Sequence, residues 1–142
     1  MIISIASDHA GFELKEEIIN YLKSLKLSPV DFGCHSKEKC DYPDFAHKLA
    51  LGLKSQVCQK GILICGSGQG VAMSANKHQH IRAAVCWNTE IAKLSRQHND
   101  SNVLCLPARF LNVEEAIEIV NAFLETEFEG GRHEIRRNKI SE

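Results

Sequence analysis

Gly61-Ile62-Leu63-Ile64-Cys65-Gly66-Ser67-Gly68-Gln69-Gly70-Val71-Ala72-Met73-Ser74-Ala75 is the stretch that decides the fold. Its first five residues form an unbroken apolar run, the pattern of a strand buried on both faces. Glycines at alternate positions then end the strand, and Val71–Ala75 has helical character. A buried strand passing through a glycine turn into a helix is one half of a βαβ unit.

The same alternation extends in both directions. Toward the N-terminus, Ile2 to Ala6 reads as a strand, and Leu14, Ile18, Leu22 and Leu25 recur at helical spacing. Leu27 to Phe32 gives another strand, closed by Gly33, and a polar loop runs from Cys34 to Asp41. Pro43 suits the first turn of a helix through Ala46, Leu49, Ala50 and Leu53. Toward the C-terminus, a strand over Arg82–Cys86 precedes a helix over Thr89–Arg96, and Val103–Leu106 gives the fifth strand. Asn112 can cap a helix through Ala116, Ile119, Val120, Phe123 and Leu124, broken by Gly130-Gly131 ahead of a basic tail. The expected class is α/β: a Rossmann-like three-layer sandwich with a five-stranded parallel sheet, one domain over residues 1–142. Ligands in such sheets bind beyond the carboxyl ends of the strands. Three segments are expected there: Ser7–Gly11, Cys65–Gly70 and the polar stretch around His98.

With 142 residues, 44% hydrophobic and 25% charged, the chain can bury one core, and a net charge of -1 gives no reason to expect nucleic acid or an anionic membrane as partner. The N-terminus lacks a basic flank and a long apolar run, and Asp8 interrupts it. No stretch approaches the roughly 18 apolar residues of a membrane span. The cytoplasm is the expected compartment. The six cysteines are then expected to be reduced. Cys65, Cys86 and Cys105 lie in or at the end of apolar runs, and Cys34-His35 with Cys40 lacks the paired spacing of a zinc site. No metal or other cofactor is expected, and His78 and His80 are expected to face solvent.

Four segments could carry chemistry. In Cys65–Gly70, closely spaced amides and the following helix start could hold an anion and favour a thiolate at Cys65. The alternative is a tight turn after a buried cysteine, and the segment alone does not decide. Its glycines read G-x-G-x-G, which is neither the dinucleotide fingerprint nor a P-loop. Asp8-His9 follows a strand directly, although Asp8 could simply cap the next helix. Ser95–Asn102 contains His98, a candidate acid or base near neutral pH, and Asn99, a candidate donor to an oxyanion; a solvated loop is the commoner meaning of such composition. Arg109, Arg132 and Arg136 could grip a phosphate dianion, Arg132 and Arg136 being four apart. Composition alone favours a solvated basic tail.

In combination the segments say more. Asp8-His9-Ala10-Gly11, Asp41-Tyr42-Pro43, Ile64–Gly70, Ala75-Asn76-Lys77, Ile81-Arg82-Ala83, Leu94 to Asp100 and Glu129–His133 occur in that order. From Ile3 to Arg137 the chain closely resembles ribose-5-phosphate isomerase type B, of the family that also holds galactose-6-phosphate isomerase subunits. The resemblance implies metal-free interconversion of ribose 5-phosphate and ribulose 5-phosphate, a step of the pentose phosphate pathway. It also implies a homodimer with shared active sites. On this chain Cys65 would be the base. The Gly66, Ser67, Gly68, Gln69 and Gly70 amides, with the Ser67 hydroxyl, would stabilise the enediolate. His98 would open the sugar ring, Asp8 and Asn99 would bind hydroxyls and the enediolate, and Tyr42 would line the site. Arg109, Arg132 and Arg136 would hold the phosphate, with His9 nearby, and the segment 130–142 would reach the partner subunit. One branch of the family uses a glutamate just after the glycine loop; Val71 stands there, which places the chain with the cysteine-base branch. Two alternatives remain open: an isomerase of allose or galactose 6-phosphate, and a non-catalytic phosphosugar-binding protein.

Overall fold

The structure, a computed structural model, describes residues 1–142. Five strands, β1 (Ile2–Ser7), β2 (Ser28–Asp31), β3 (Lys60–Cys65), β4 (Ala83–Val85) and β5 (Val103–Pro107), form one sheet in the order β2-β1-β3-β5-β4. Every pairing is parallel. The helices are α1 (Phe12–Ser24), α2 (Tyr42–Lys54), α3 (Gln69–Ala75), α4 (Thr89–Asn99), α5 (Val113–Glu125) and α6 (Arg132–Asn138). The fold expected from the strand-helix alternation is therefore the one observed. No helix is long and apolar enough to cross a membrane.

The apolar runs are continuous because each central strand feeds two cores. Ile62 and Ile64 of β3 join Ile3, Ile5, Leu104 and Leu106 against α1 and α5. Leu63 and Cys65 face the opposite way, with Ala6, Val103 and Cys105, against α2 and α3. Successive side chains of a strand point to opposite faces, so both halves of the alternation are buried here. Each fully buried branched side chain contributes about 1.5–3 kcal/mol relative to exposure.

The order of the strands fixes where a ligand can sit. After β1 the chain moves outward to β2, then crosses back to place β3 on the other side of β1. The carboxyl ends of β1 and β3 therefore open a crevice, with Ser7 paired to Ile64 and Cys65 to Pro107. Asp8, Cys65 and Arg109 are brought to one edge in this way.

Several boundaries differ from expectation. Helix α5 ends at Glu125, five residues before Gly130, and the basic tail is itself helical. At its start, α5 carries the full reciprocal cap, Asn112 to the Glu115 amide and Glu115 back to the Asn112 amide. His78 and His80 do not simply face solvent. The His78 ring lies 2.7 Å from His47, and His80 Nε2 donates to the Ala50 carbonyl at 2.7 Å, tying the α3–β4 loop to α2.

Candidate active site

Cys65 ends β3 and is 5% exposed, with its side chain on the α2/α3 face. It lines a cavity of about 480 Å³ with Asp8, His9, Tyr42, Gly66, Ser67, Gly70, Arg109 and Phe110, a size suited to a small ligand. Gly68 adopts φ 75°, which a residue with a side chain rarely takes, and this turns the chain from β3 into α3. Gly70 is required for a different reason: a Cβ there would stand 2.4 Å from the Tyr42 ring. The Ser67 hydroxyl accepts the Gln69 amide at 3.4 Å, whereas the amides of Ser67, Gly68 and Gly70 have no acceptor within the chain. They remain available to a negatively charged ligand oxygen.

Around this loop the other groups are held by short local contacts. Asp8 both caps and lines: its Oδ1 accepts the Gly11 amide at 3.1 Å while the residue borders the cavity. The Cys40 amide donates to His9 Nδ1 at 3.3 Å, so in the neutral ring Nε2 carries the hydrogen. The Arg109 amide donates to the Gly66 carbonyl at 3.1 Å, and its guanidinium lies over Gly66, 3.1 Å from where a Cβ would stand. Burial, with Cys86 and Cys65 close by, pushes the Cys105 thiol well up. Burial likewise raises Cys86 to about 11, against a hydrogen bond with Ser95. Cys65 is the one thiol on the cavity wall.

His98 and Asn99 are elsewhere. They were expected in a loop beyond the carboxyl ends of the strands, but α4 continues through Asn99 and closes on Asp100 in the left-handed conformation (φ 49°). Helix α4 returns the chain to the start of β5, so its last turn lies at the opposite end of the sheet from Cys65. Helix α6 packs beside it. The His98 and His133 rings stack, centroids 4.3 Å apart and 13° from parallel. The Glu129 carboxylate lies 3.6 Å from His133 Nε2 and 4.0 Å from His98 Nε2. Burial, with the His98 and Arg132 charges, holds His133 below the ordinary imidazole range against the pull of Glu129. Although His98, Glu129 and His133 bring potential donor atoms within 4.8 Å of one another, the neighbouring arginines favour an anion over a cation. Arg132 and Arg136 are exposed, one turn apart on α6. Asn99 borders a separate cavity of about 480 Å³ near Asn76–Ala84 and the C-terminus.

Within one chain the expected site residues thus fall into two groups. Asp8, His9, Tyr42, Cys65, Gly66, Ser67, Gly68, Gln69, Gly70 and Arg109 lie at the carboxyl end of the sheet; His98, Asn99, Arg132 and Arg136 lie at the amino end. Sequence reasoning missed Phe110, which is 73% exposed at the cavity mouth. It also missed Cys40 behind His9, and Glu129 and His133 beside His98. Neighbourhood to Arg109 could have suggested Phe110. Nothing in the spacing pointed to Cys40.

A switch-point crevice carrying a thiol, a glycine loop and an arginine makes a candidate small-molecule site in a parallel α/β sandwich. The chain belongs to the Ribose/Galactose Isomerase family, which it matches over residues 3–140. It is 44% identical over 139 aligned residues to ribose-5-phosphate isomerase B of Escherichia coli strain K12, covering 98% of this chain and 93% of that protein. The structure of Clostridium thermocellum ribose-5-phosphate isomerase B is similar at TM-score 0.98 and 48% identity, over 99% of this chain and 95% of that one. The crystal structure of ribose-5-phosphate isomerase B from Mycoplasma genitalium with bound ribulose-5-phosphate is similar at TM-score 0.93 and 46% identity, over 99% and 93%.

Proposed function

We propose that this chain interconverts ribose 5-phosphate and ribulose 5-phosphate in the cytoplasm, as a homodimer in which each site combines the two ends of the sheet from different subunits. One observation supports the shared site: the base candidate Cys65, with Arg109, lies at one end of the sheet, while the acid candidate His98 and the phosphate candidates Arg132 and Arg136 lie at the other end of the same chain. The second chain's segment 130–142 would bring Arg132 and Arg136 to the first chain's cavity. The relatives named above support the reaction.

In the proposed sequence His98 gives a proton to the ring oxygen as its bond to C1 breaks, and the anomeric hydroxyl passes its proton to solvent water. This leaves the open-chain aldehyde. Asp8 and Asn99 hold the sugar hydroxyls, and Arg109, Arg132 and Arg136 hold the phosphate with His9 beside them. Cys65 thiolate then removes the proton on C2, and the electron pair moves through C1 onto the aldehyde oxygen. The glycine-loop amides and Ser67 stabilise that charge where it develops. The proton returns from Cys65 to C1, while the hydrogen on O2 passes to O1, giving the ketose. Phosphate binding remote from the reacting carbons orients the chain for these transfers.

The test is turnover of ribose 5-phosphate by this chain alone, with chelator present and with allose and galactose 6-phosphates alongside. Chelator-resistant turnover with the pentose as best substrate is expected. Preference for a hexose phosphate would move the proposal to that sugar with the same chemistry, and no turnover on any would leave a phosphosugar-binding role.

A further inference from the structure

Asp100 sits at a junction that the reaction itself does not explain. Its Oδ1 accepts from Arg96 Nη1 at 2.9 Å, and its Oδ2 accepts from Arg137 Nη1 at 2.7 Å and Arg82 Nη2 at 3.3 Å. Its backbone carbonyl also accepts from Arg82 Nε at 2.7 Å. The three arginines come from different places: Arg82 from the entry to β4, Arg96 from α4, and Arg137 from α6. Arg96 extends the junction further, donating to the carbonyls of Ser101 at 2.5 Å and Thr126 at 3.1 Å. The Glu129 amide donates to the Gln97 carbonyl at 3.1 Å, pinning the linker ahead of α6 to α4. Burial would raise the Asp100 carboxyl, but hydrogen bonds from Arg137 and Arg96 and the Arg82 charge together hold it below the usual range.

Arg137 is occupied by the protein. Nη1 is on Asp100, while Nε and Nη2 donate to the Asn138 side chain at 3.2 and 3.0 Å. Its guanidinium also lies 4.8 Å from the Phe128 ring centroid. The neighbouring arginines of the same helix, Arg132 and Arg136, are exposed. Buried His133 and clamped Arg137, four apart, form the anchored side of α6.

We propose that Arg137, clamped by Asp100, is a positioning residue that orients Arg132 and Arg136 toward the substrate phosphate and is not itself a phosphate ligand. The inference rests on the phosphate role given above to Arg132 and Arg136. A seven-residue helix has little stability of its own, so its direction depends on such anchors. A guanidinium on a partly buried carboxylate is among the stronger anchors available.

Steady-state kinetics on Arg137→Gln, Asp100→Asn, the double variant, Arg137→Lys and Arg132→Ala test this, with the inhibition constant for inorganic phosphate and a thermal midpoint measured for each. Arg137→Gln should raise KM and the phosphate inhibition constant about tenfold, with kcat within about twofold, the scale of a lost charge-assisted hydrogen bond. Arg137→Lys should regain most of the loss. Adding Asp100→Asn to Arg137→Gln should cost little more, because the two residues act as one unit. Fully additive losses would make Arg137 a ligand and overturn the proposal. So would an unchanged KM in Arg137→Gln beside a raised KM in Arg132→Ala. If Arg137→Gln does not fold, Asp100→Asn decides by the same criteria. An unchanged KM in Arg132→Ala would remove the phosphate assignment itself, and the positioning role with it.

Discussion

At the carboxyl end of the sheet, the candidate site groups are placed by the main chain. Cys65 is the last residue of β3, Asp8 follows β1, Arg109 follows β5, and the glycine loop is a backbone turn. At the amino end, His98, Arg132 and Arg136 ride on helix surfaces whose orientation is set by side chains: one carboxylate, three guanidiniums and a stacked imidazole pair. Sheet register cannot shift by small steps, whereas a helix held by ion pairs can tilt. On the proposed mechanism the first end carries the C2 proton transfer, where small misplacements are costly, and the second carries ring opening and two of the three phosphate-holding arginines.

Three results would break or sharpen that contrast. The largest effect belongs to the main-chain end. Cys65→Ala should lower turnover by about 10²–10⁴-fold, while calorimetry still shows sugar-phosphate binding. Near-wild-type turnover would remove Cys65 as the base. An intermediate effect tests whether the two ends meet across subunits. Co-expressed Cys65→Ala and Arg132→Ala chains, each impaired alone, should regain up to about a quarter of wild-type activity, since half of randomly assembled dimers hold one intact site of two. Activity no higher than that of the separate variants would mean that each chain builds its own site. The smallest effect concerns stability at the amino end. Because the folded Asp100 carboxyl lies below its ordinary value, its contribution should be fully present above about pH 4 and fade as pH falls through the folded value. The gap in thermal midpoint between wild type and Asp100→Asn should therefore be constant from about pH 5 to 8 and close under more acid conditions. A gap that widens on acidification would contradict the sign.

This contrast also explains what could be read from the residues. The Cys65–Gly70 turn was legible because a strand period stops at glycines whose backbone geometry has local causes. Even so, the Gly70–Tyr42 contact was hidden, since it joins α3 to the start of α2 across the cavity. The His98 segment was misplaced because its polarity matches a loop. What makes it helical is tertiary: Asp100 can close α4 in a left-handed conformation with Arg82 and Arg137 gathered around it from distant positions. Arg137 itself looked like one more charge of a basic tail.

The length of β3 has a further consequence. Six extended residues cover about 20 Å, and a hydrogen-bonded sheet cannot fold back on itself to bring its two ends together. On the shared-site reading, a lone molecule carries a thiol pocket with Arg109 at one end and His98, Arg132 and Arg136 at the other, and the two never meet. Turnover would then become second-order in protein once dilution separates the subunits, falling away while every chain remains folded. The stiff sheet would act as a spacer that makes chemistry conditional on company.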